Sequence, residues 1–243
     1  MSAHRGEGGL ARLETEGLLV CLDFDDTLVA NQAHFAAATS ALAELCARDL
    51  GADAAAVASA FGAADRGLGA HGRHRNRFLL SVLATYCRVA GTDSVPLDRM
   101  AELARIAAMP YDAVPTPEPG VPQALAVLRG NLPGPLWLVT AGDPVVQEGR
   151  VRRSGLADRF DAVHIVPEKT ASVYAALGRG YTRAWMVGNS PATDILPARA
   201  AGFQVVLVTV PTWDLDVAPV PPDVPQLPDF PAAVRYLLEQ LGA

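Results

Sequence analysis

Hydrophobic residues are distributed along this chain in two patterns. Short, continuous apolar runs that stop abruptly at polar or small residues occur at Gly17–Thr27 (GLLVCLDFDDT), Pro135–Asp143 (PLWLVTAGD), Ala184–Ser190 (AWMVGNS) and Phe203–Val210 (FQVVLVTV). A weaker fifth spans Asp161–Lys169 (DAVHIVPEK). Runs without polar alternation suit strands covered on both faces, as in a parallel sheet. Between them lie stretches of helical periodicity: VPQALAVLRG, DPVVQEGRVRRSG, TASVYAALGRG and PATDILPARAAG. Strand alternating with helix predicts an α/β protein with a Rossmann-like, doubly wound parallel sheet.

The alternation breaks between the first strand and VPTPEPG. From about Asn31 to Met109 only helical segments appear: QAHFAAATSALAELCARD, ADAAAVASAFGAA, RFLLSVLATYCRVA and LDRMAELARIAAM. An open sheet needs a single crossover helix at this point, so the insertion reads as a separate all-helical unit. The predicted organisation is an α/β core formed by residues 1–30 and 112–243, with a helical domain at 31–111. Proline-rich PYDAVPTPEPGVP returns the chain to the core, and Pro211–Pro231 reads as an extended path before a last helix, AAVRYLLEQLG.

Composition narrows the class. Half of the 243 residues are hydrophobic, enough for a sizeable packed core and unlike a disordered chain. With 20 basic against 26 acidic side chains, the net charge of −6 argues against a protein built to coat nucleic acid. Cys21, Cys46 and Cys87 form no CxxC pair, which fits reduced thiols better than a disulfide frame or a zinc site. The N-terminal MSAHRGEGGLARLETEG lacks the apolar stretch of a signal peptide, and no run approaches the roughly 18 residues of a membrane span. A soluble cytoplasmic protein, monomer or homodimer, is expected. Arginine replaces lysine everywhere except at Lys169.

In an open parallel sheet, ligands bind beyond the carboxyl ends of the strands. There the first strand delivers Asp23, Asp25, Asp26 and Thr27, and the second delivers Thr140. The fifth run delivers Lys169; AWMVGNS delivers Asn189, Ser190 and, shortly after, Asp194. Carboxylates, hydroxyls and one ammonium on a common rim describe a site for a divalent metal and a phosphoryl group, Mg²⁺ being a hard ion held by a few carboxylates. If the first strand continues through them, Asp23 and Asp25 project to the same side. Two neighbouring carboxyl groups in different environments divide the labour of phosphoryl transfer, one attacking phosphorus and the other handling the proton. A lysine beside the attacking carboxylate keeps it ionised and balances phosphoryl charge.

DFDDT at Asp23–Thr27, Thr140, Lys169 and GNSPATD at Gly188–Asp194 resemble, in order, the four motifs of the haloacid dehalogenase (HAD) superfamily. The resemblance covers the core on both sides of the insertion. It implies a mobile helical cap inserted after the first motif and a Mg²⁺-dependent phosphatase acting on a small phosphorylated metabolite, with no nucleic-acid or membrane partner. By the same resemblance Asp23 is the nucleophile, Asp25 the acid and base, and Thr140 and Lys169 the phosphoryl-binding groups. The metal set is then Asp23, Asp194, the backbone carbonyl of Asp25, and Asn189 in place of the usual acidic residue, a substitution expected to weaken Mg²⁺ binding. Superfamily members that cleave carbon–halogen bonds lack an acid at the position of Asp25 and need no metal. A dehalogenase, and a phospho-accepting regulatory module without turnover, remain the alternatives.

Two further motifs are set aside. Gly67–Gly72 spells G-x-G-x-x-G but follows a helical stretch rather than a strand, and Ala192 stands where the second glycine of G-x-S-x-G belongs. The most basic segment, HGRHRNRF, offers His71, Arg73, His74, Arg75 and Arg77 either as a solvated helix start or as contacts to an anionic substrate. Asn31, Gln32, His34 and Phe35 are candidates for the entrance to the site or for plain helix surface.

Overall fold

A computed structural model describes residues 17–69, 75–210 and 218–242. Six strands, β1 (Leu18–Leu22), β2 (Leu136–Ala141), β3 (Ala162–Val166), β4 (Arg183–Gly188), β5 (Gln204–Val208) and β6 (Gln226–Leu227), lie in the order β3-β2-β1-β4-β5-β6. Every pairing is parallel. The four strong apolar runs and the weak fifth are all strands, the weak one forming an edge. The proline-dense stretch carries a short strand, β6, that its composition hides.

Strand β1 occupies the centre of the sheet with all five residues buried. Its side chains alternate between two cores, as strand geometry requires. Leu18, Val20 and Leu22 pack with α5 (Val121–Asn131) and α9 (Phe230–Leu241). Leu19 and Cys21 face the opposite layer, where they meet Tyr174 of α7 (Ala171–Leu177) and Ala198 of α8 (Leu196–Ala200). Helix α6 (Pro144–Arg153) follows β2, with Asp143 as its N-cap accepting from the amides of Val145 and Val146.

The insertion comprises α1 (Gln32–Leu50), α2 (Ala54–Gly67), α3 (Arg75–Ala90) and α4 (Leu97–Asp112). These four helices enclose a hydrophobic centre of their own, including Leu42, Leu45, Val82, Leu103 and Ile106. The leaving and returning chains run side by side: the Ala30 amide donates to Thr116 and that of Glu118 to Leu28, with Val29 and Pro117 bridged between them. This two-stranded neck fixes where the insertion leaves the core. Among the described residues, no helix is long and apolar enough to cross a membrane.

Candidate active site

Strand β1 stops one residue before the acidic motif. The Asp23 amide still bonds Val187 of β4, but Phe24 begins a turn whose carbonyl accepts from the amides of Leu28 and Val29. Buried Phe24 and Leu28 anchor that turn in the core. Asp26 sits at φ +61°, a left-handed conformation that aspartate tolerates better than most residues. Its Oδ1 accepts from the amides of Asn31 and Gln32, both at 2.8 Å, and so caps the start of α1. The expected continuation of the strand therefore fails. Asp23 and Asp25 both reach the same cavity, yet their carboxyl groups have different partners.

Asp23 faces the lysine. Lys169 Nζ donates to Asp23 Oδ1 and, at 2.6 Å, to Asp194 Oδ1. Thr27 Oγ1 donates to Asp23 Oδ2 at 2.8 Å and lies 3.4 Å from Asn189 Oδ1. Asp194 stands on a wide π-type turn, Pro191–Ile195, that Ser190 opens by accepting from the Thr193 amide. The second oxygen of Asp194 accepts from the Ser190 amide at 3.0 Å. Gly188 makes room for that carboxylate, because a Cβ there would lie 2.4 Å from Asp194 Oδ2.

Burial dominates the electrostatics of this group. It pushes the Asp23 carboxyl up to about 7, helped by the charge of Asp194 and opposed by Lys169. Lys169 acts in the direction expected from sequence, favouring the ionised carboxyl, but burial outweighs it. Burial works against the Lys169 ammonium too, but Asp194 and Asp23 outweigh it and raise its pKa.

Asp25 faces a pair of side chains absent from the sequence-derived set. Gln147 Nε2 lies 2.8 Å from Asp25 Oδ2 and 2.6 Å from Thr140 Oγ1. One guanidinium nitrogen of Arg150 lies 2.6 Å from Asp25 Oδ1 and 2.9 Å from Asn31 Oδ1, and the other 3.2 Å from the Pro110 carbonyl. Both residues come from α6, three positions apart and on one face. That spacing was the available signal, masked by the neighbouring Arg152 and Arg153.

Asp23, Asp25, Thr140, Lys169, Asn189 and Asp194 all line one cavity of about 410 Å³ between the sheet and the insertion. The insertion contributes Phe35, Phe78 and Tyr111, packed edge to face, and the Arg77–Asp65 ion pair at 2.5 Å. Asn31 and Phe35 line the cavity; Gln32 and His34 do not. His71, Arg73 and His74 lie outside the described residues, as does the side chain of Arg75. Among the described residues, no group of three or more His, Cys, Asp or Glu side chains is arranged to hold a metal. The neighbouring oxygens of Asp23, Asp194 and Asn189 are nevertheless hard donors of the kind Mg²⁺ takes, with two carboxylates already sharing one cation in Lys169.

The family model described as haloacid dehalogenase-like hydrolase matches residues 18–202. Among solved structures, a haloacid dehalogenase-like family hydrolase from Xanthomonas campestris is 25% identical, with a TM-score of 0.74 over 93% of this chain and 98% of that one. A predicted phosphoglycolate phosphatase from Haemophilus somnus 129pt is 17% identical, with a TM-score of 0.62 over 92% and 99%. An L-2-haloacid dehalogenase from Xanthobacter autotrophicus is 19% identical, with a TM-score of 0.58 over 91% and 98%. The last two share the fold and differ in the bond their names say they cleave. No curated protein matches the sequence.

Proposed function

Because this chain belongs to the haloacid dehalogenase-like hydrolases, we propose that it is a Mg²⁺-dependent phosphatase that hydrolyses a small phosphorylated metabolite. The observation that carries this reading is the second carboxyl group, Asp25, lining the same cavity as Asp23 and held there by Gln147 and Arg150. A dehalogenase needs no acid for its leaving group, because halide leaves unprotonated. An alkoxide leaving from phosphorus needs a proton, and Asp25 supplies it.

In the first half-reaction an Asp23 carboxylate oxygen attacks phosphorus as the bond to the leaving oxygen breaks. Asp25 transfers its proton to that oxygen, and the alcohol departs. In the second, Asp25 takes a proton from the water that attacks the aspartyl-phosphate, releasing phosphate and restoring both carboxyl groups. Thr140 and Lys169 orient the phosphoryl oxygens and offset their charge. Asp23, Asp194, the carbonyl of Asp25 and Asn189 would hold Mg²⁺, which when bound would neutralise charge on the transferring group. The cavity beneath the helical insertion suits a small substrate rather than nucleic acid or a membrane, and closure of that insertion as a cap limits access of bulk water.

The test is hydrolysis of an aryl phosphate by the purified protein with Mg²⁺. Turnover is expected, with loss on chelation by EDTA, recovery on adding Mg²⁺, and abolition in Asp23→Asn. Halide release from a 2-haloacid without metal would replace this reading with the dehalogenase. A stable phospho-adduct from acetyl phosphate without turnover would replace it with the regulatory module.

A further inference from the structure

Asp25 is gripped at both oxygens by side chains one helical turn apart on α6, and neither side chain belongs to the four motifs. Arg150 is 3% exposed and Gln147 4%, and both line the cavity beside Asp25. A buried guanidinium is costly to desolvate and is retained where its fork meets several acceptors at once. Arg150 meets three: Asp25 in the turn after β1, Asn31 at the start of α1, and the Pro110 carbonyl near the end of α4. The last is one of the carbonyls left without an amide partner at a helix C-terminus, where a cation is favoured. Arg153 bonds the next carbonyl, of Tyr111, at 3.0 Å. Gln147 ties Asp25 to Thr140, the residue assigned to the phosphoryl group.

We infer that Arg150 and Gln147 are positioning residues that hold the Asp25 carboxyl toward the leaving oxygen of the substrate, a role that rests on the phosphatase reading. Each Asp25 oxygen is fixed by one donor from α6, which leaves the carboxyl no freedom to turn away from the cavity it shares with Asp23. The bonds of Arg150 to Asn31 and Pro110 brace the same guanidinium against both ends of the insertion. The aim of Asp25 and the seating of the helical cap therefore depend on one side chain.

A purely structural role for Arg150 would lower activity toward all substrates alike. Loss of aim at the leaving oxygen would not. Phenyl phosphate needs its leaving oxygen protonated, whereas 2,4-dinitrophenyl phosphate expels a stable anion without help. The experiment measures kcat/KM for both esters with wild type, Arg150→Met, Arg150→Lys, Gln147→Leu and Asp25→Asn. Because the readout is the ratio of the two substrates within one protein sample, partial misfolding cancels from it. Removing the acid in Asp25→Asn sets the upper limit of the ratio change. In Arg150→Met, phenyl phosphate is expected to lose roughly a hundredfold and the dinitrophenyl ester less than about fivefold. Gln147→Leu shifts the ratio in the same direction by less, and Arg150→Lys recovers part of it. Equal losses on both esters in Arg150→Met and Gln147→Leu overturn the positioning role while leaving the phosphatase reading intact. A wild-type protein that hydrolyses neither ester overturns both.

Discussion

Lys169 Nζ lies 2.6 Å from Asp194 Oδ1 and bonds Asp23 with the same ammonium, so two carboxylates from separate strand ends meet on the chain's one lysine. All three groups are buried. Replacing the lysine by Met leaves two facing carboxylates with no cation between them. Breaking a buried ion pair by removing one partner costs about 3–5 kcal/mol, and Lys169→Met is expected to lose stability of that order in denaturant unfolding. Turnover of an aryl phosphate should fall by at least roughly a hundredfold, since charge compensation at the phosphoryl group is lost with it. Wild-type stability together with wild-type turnover in this variant would contradict the role given to Lys169.

Gly188 ends β4 directly under Asp194. A Cβ at this position would lie 2.4 Å from Asp194 Oδ2, 2.5 Å from its Cγ and 2.6 Å from its Cβ. The root of the side chain is as close as its tip, so rotation of the carboxylate alone does not relieve the overlap. Gly188→Ala is therefore expected to displace Asp194, break its bond from the Ser190 amide and cost about 1–3 kcal/mol, the usual penalty for overpacking a filled interior. Thermal unfolding and turnover, measured together, should both decline. A variant with unchanged activity would show that the position of Asp194 is not critical.

How far the site was legible in the sequence follows from what each residue stands next to. Asp23, Thr140 and Lys169 were found because apolar runs end close to them, and a parallel sheet brings its carboxyl ends to one rim. Lys169 stood out further because arginine serves everywhere else. Arg150 lacked that contrast: it is one of three arginines in the last turn of α6, and only tertiary packing buries it under the neck of the insertion while Arg152 stays exposed. The turn at Phe24–Val29 was hidden for a different reason. DFDD reads equally as the end of a strand or the start of a turn, and the decision lies with the Asp26 carboxylate reaching two amides of α1. Strand β6 is two residues long in a proline-dense stretch and carries no periodicity to read.

The cysteines separate by burial. Cys21 lies in the centre of β1, where burial pushes its thiol up to about 12 despite the nearby Lys169 charge. Burial likewise raises Cys46, inside the helical insertion. Only the thiolate reacts with disulfide reagents, so neither residue is expected to react in the folded protein. Titration of the native protein with an aromatic disulfide is expected to modify Cys87 alone, which is partly exposed, with the other two appearing only after denaturation. Rapid modification of Cys21 under native conditions would show that the central strand opens to solvent.

His164 on edge strand β3 sets a pH dependence of stability whose sign is fixed by its surroundings. Its ring lies 4.7 Å from that of Trp137, its Nε2 is buried without a hydrogen-bond partner, and burial lowers its pKa below the ordinary 6.5. Between the folded value and 6.5 the unfolded chain binds the proton and the folded one does not. Stability is therefore complete above the unfolded pKa and is lost as pH falls through it, levelling off below the folded value. His34 shifts in the same direction, through burial first and then the Arg150 charge, so it adds a slope of the same sign. His164→Phe keeps an aromatic ring against Trp137 and removes the titrating group. Its melting temperature should fall less than that of wild type between about pH 7.5 and about pH 5.5, the range in which histidine titrates. An identical fall in both proteins would show that His164 takes up its proton as readily in the folded state as in the unfolded chain.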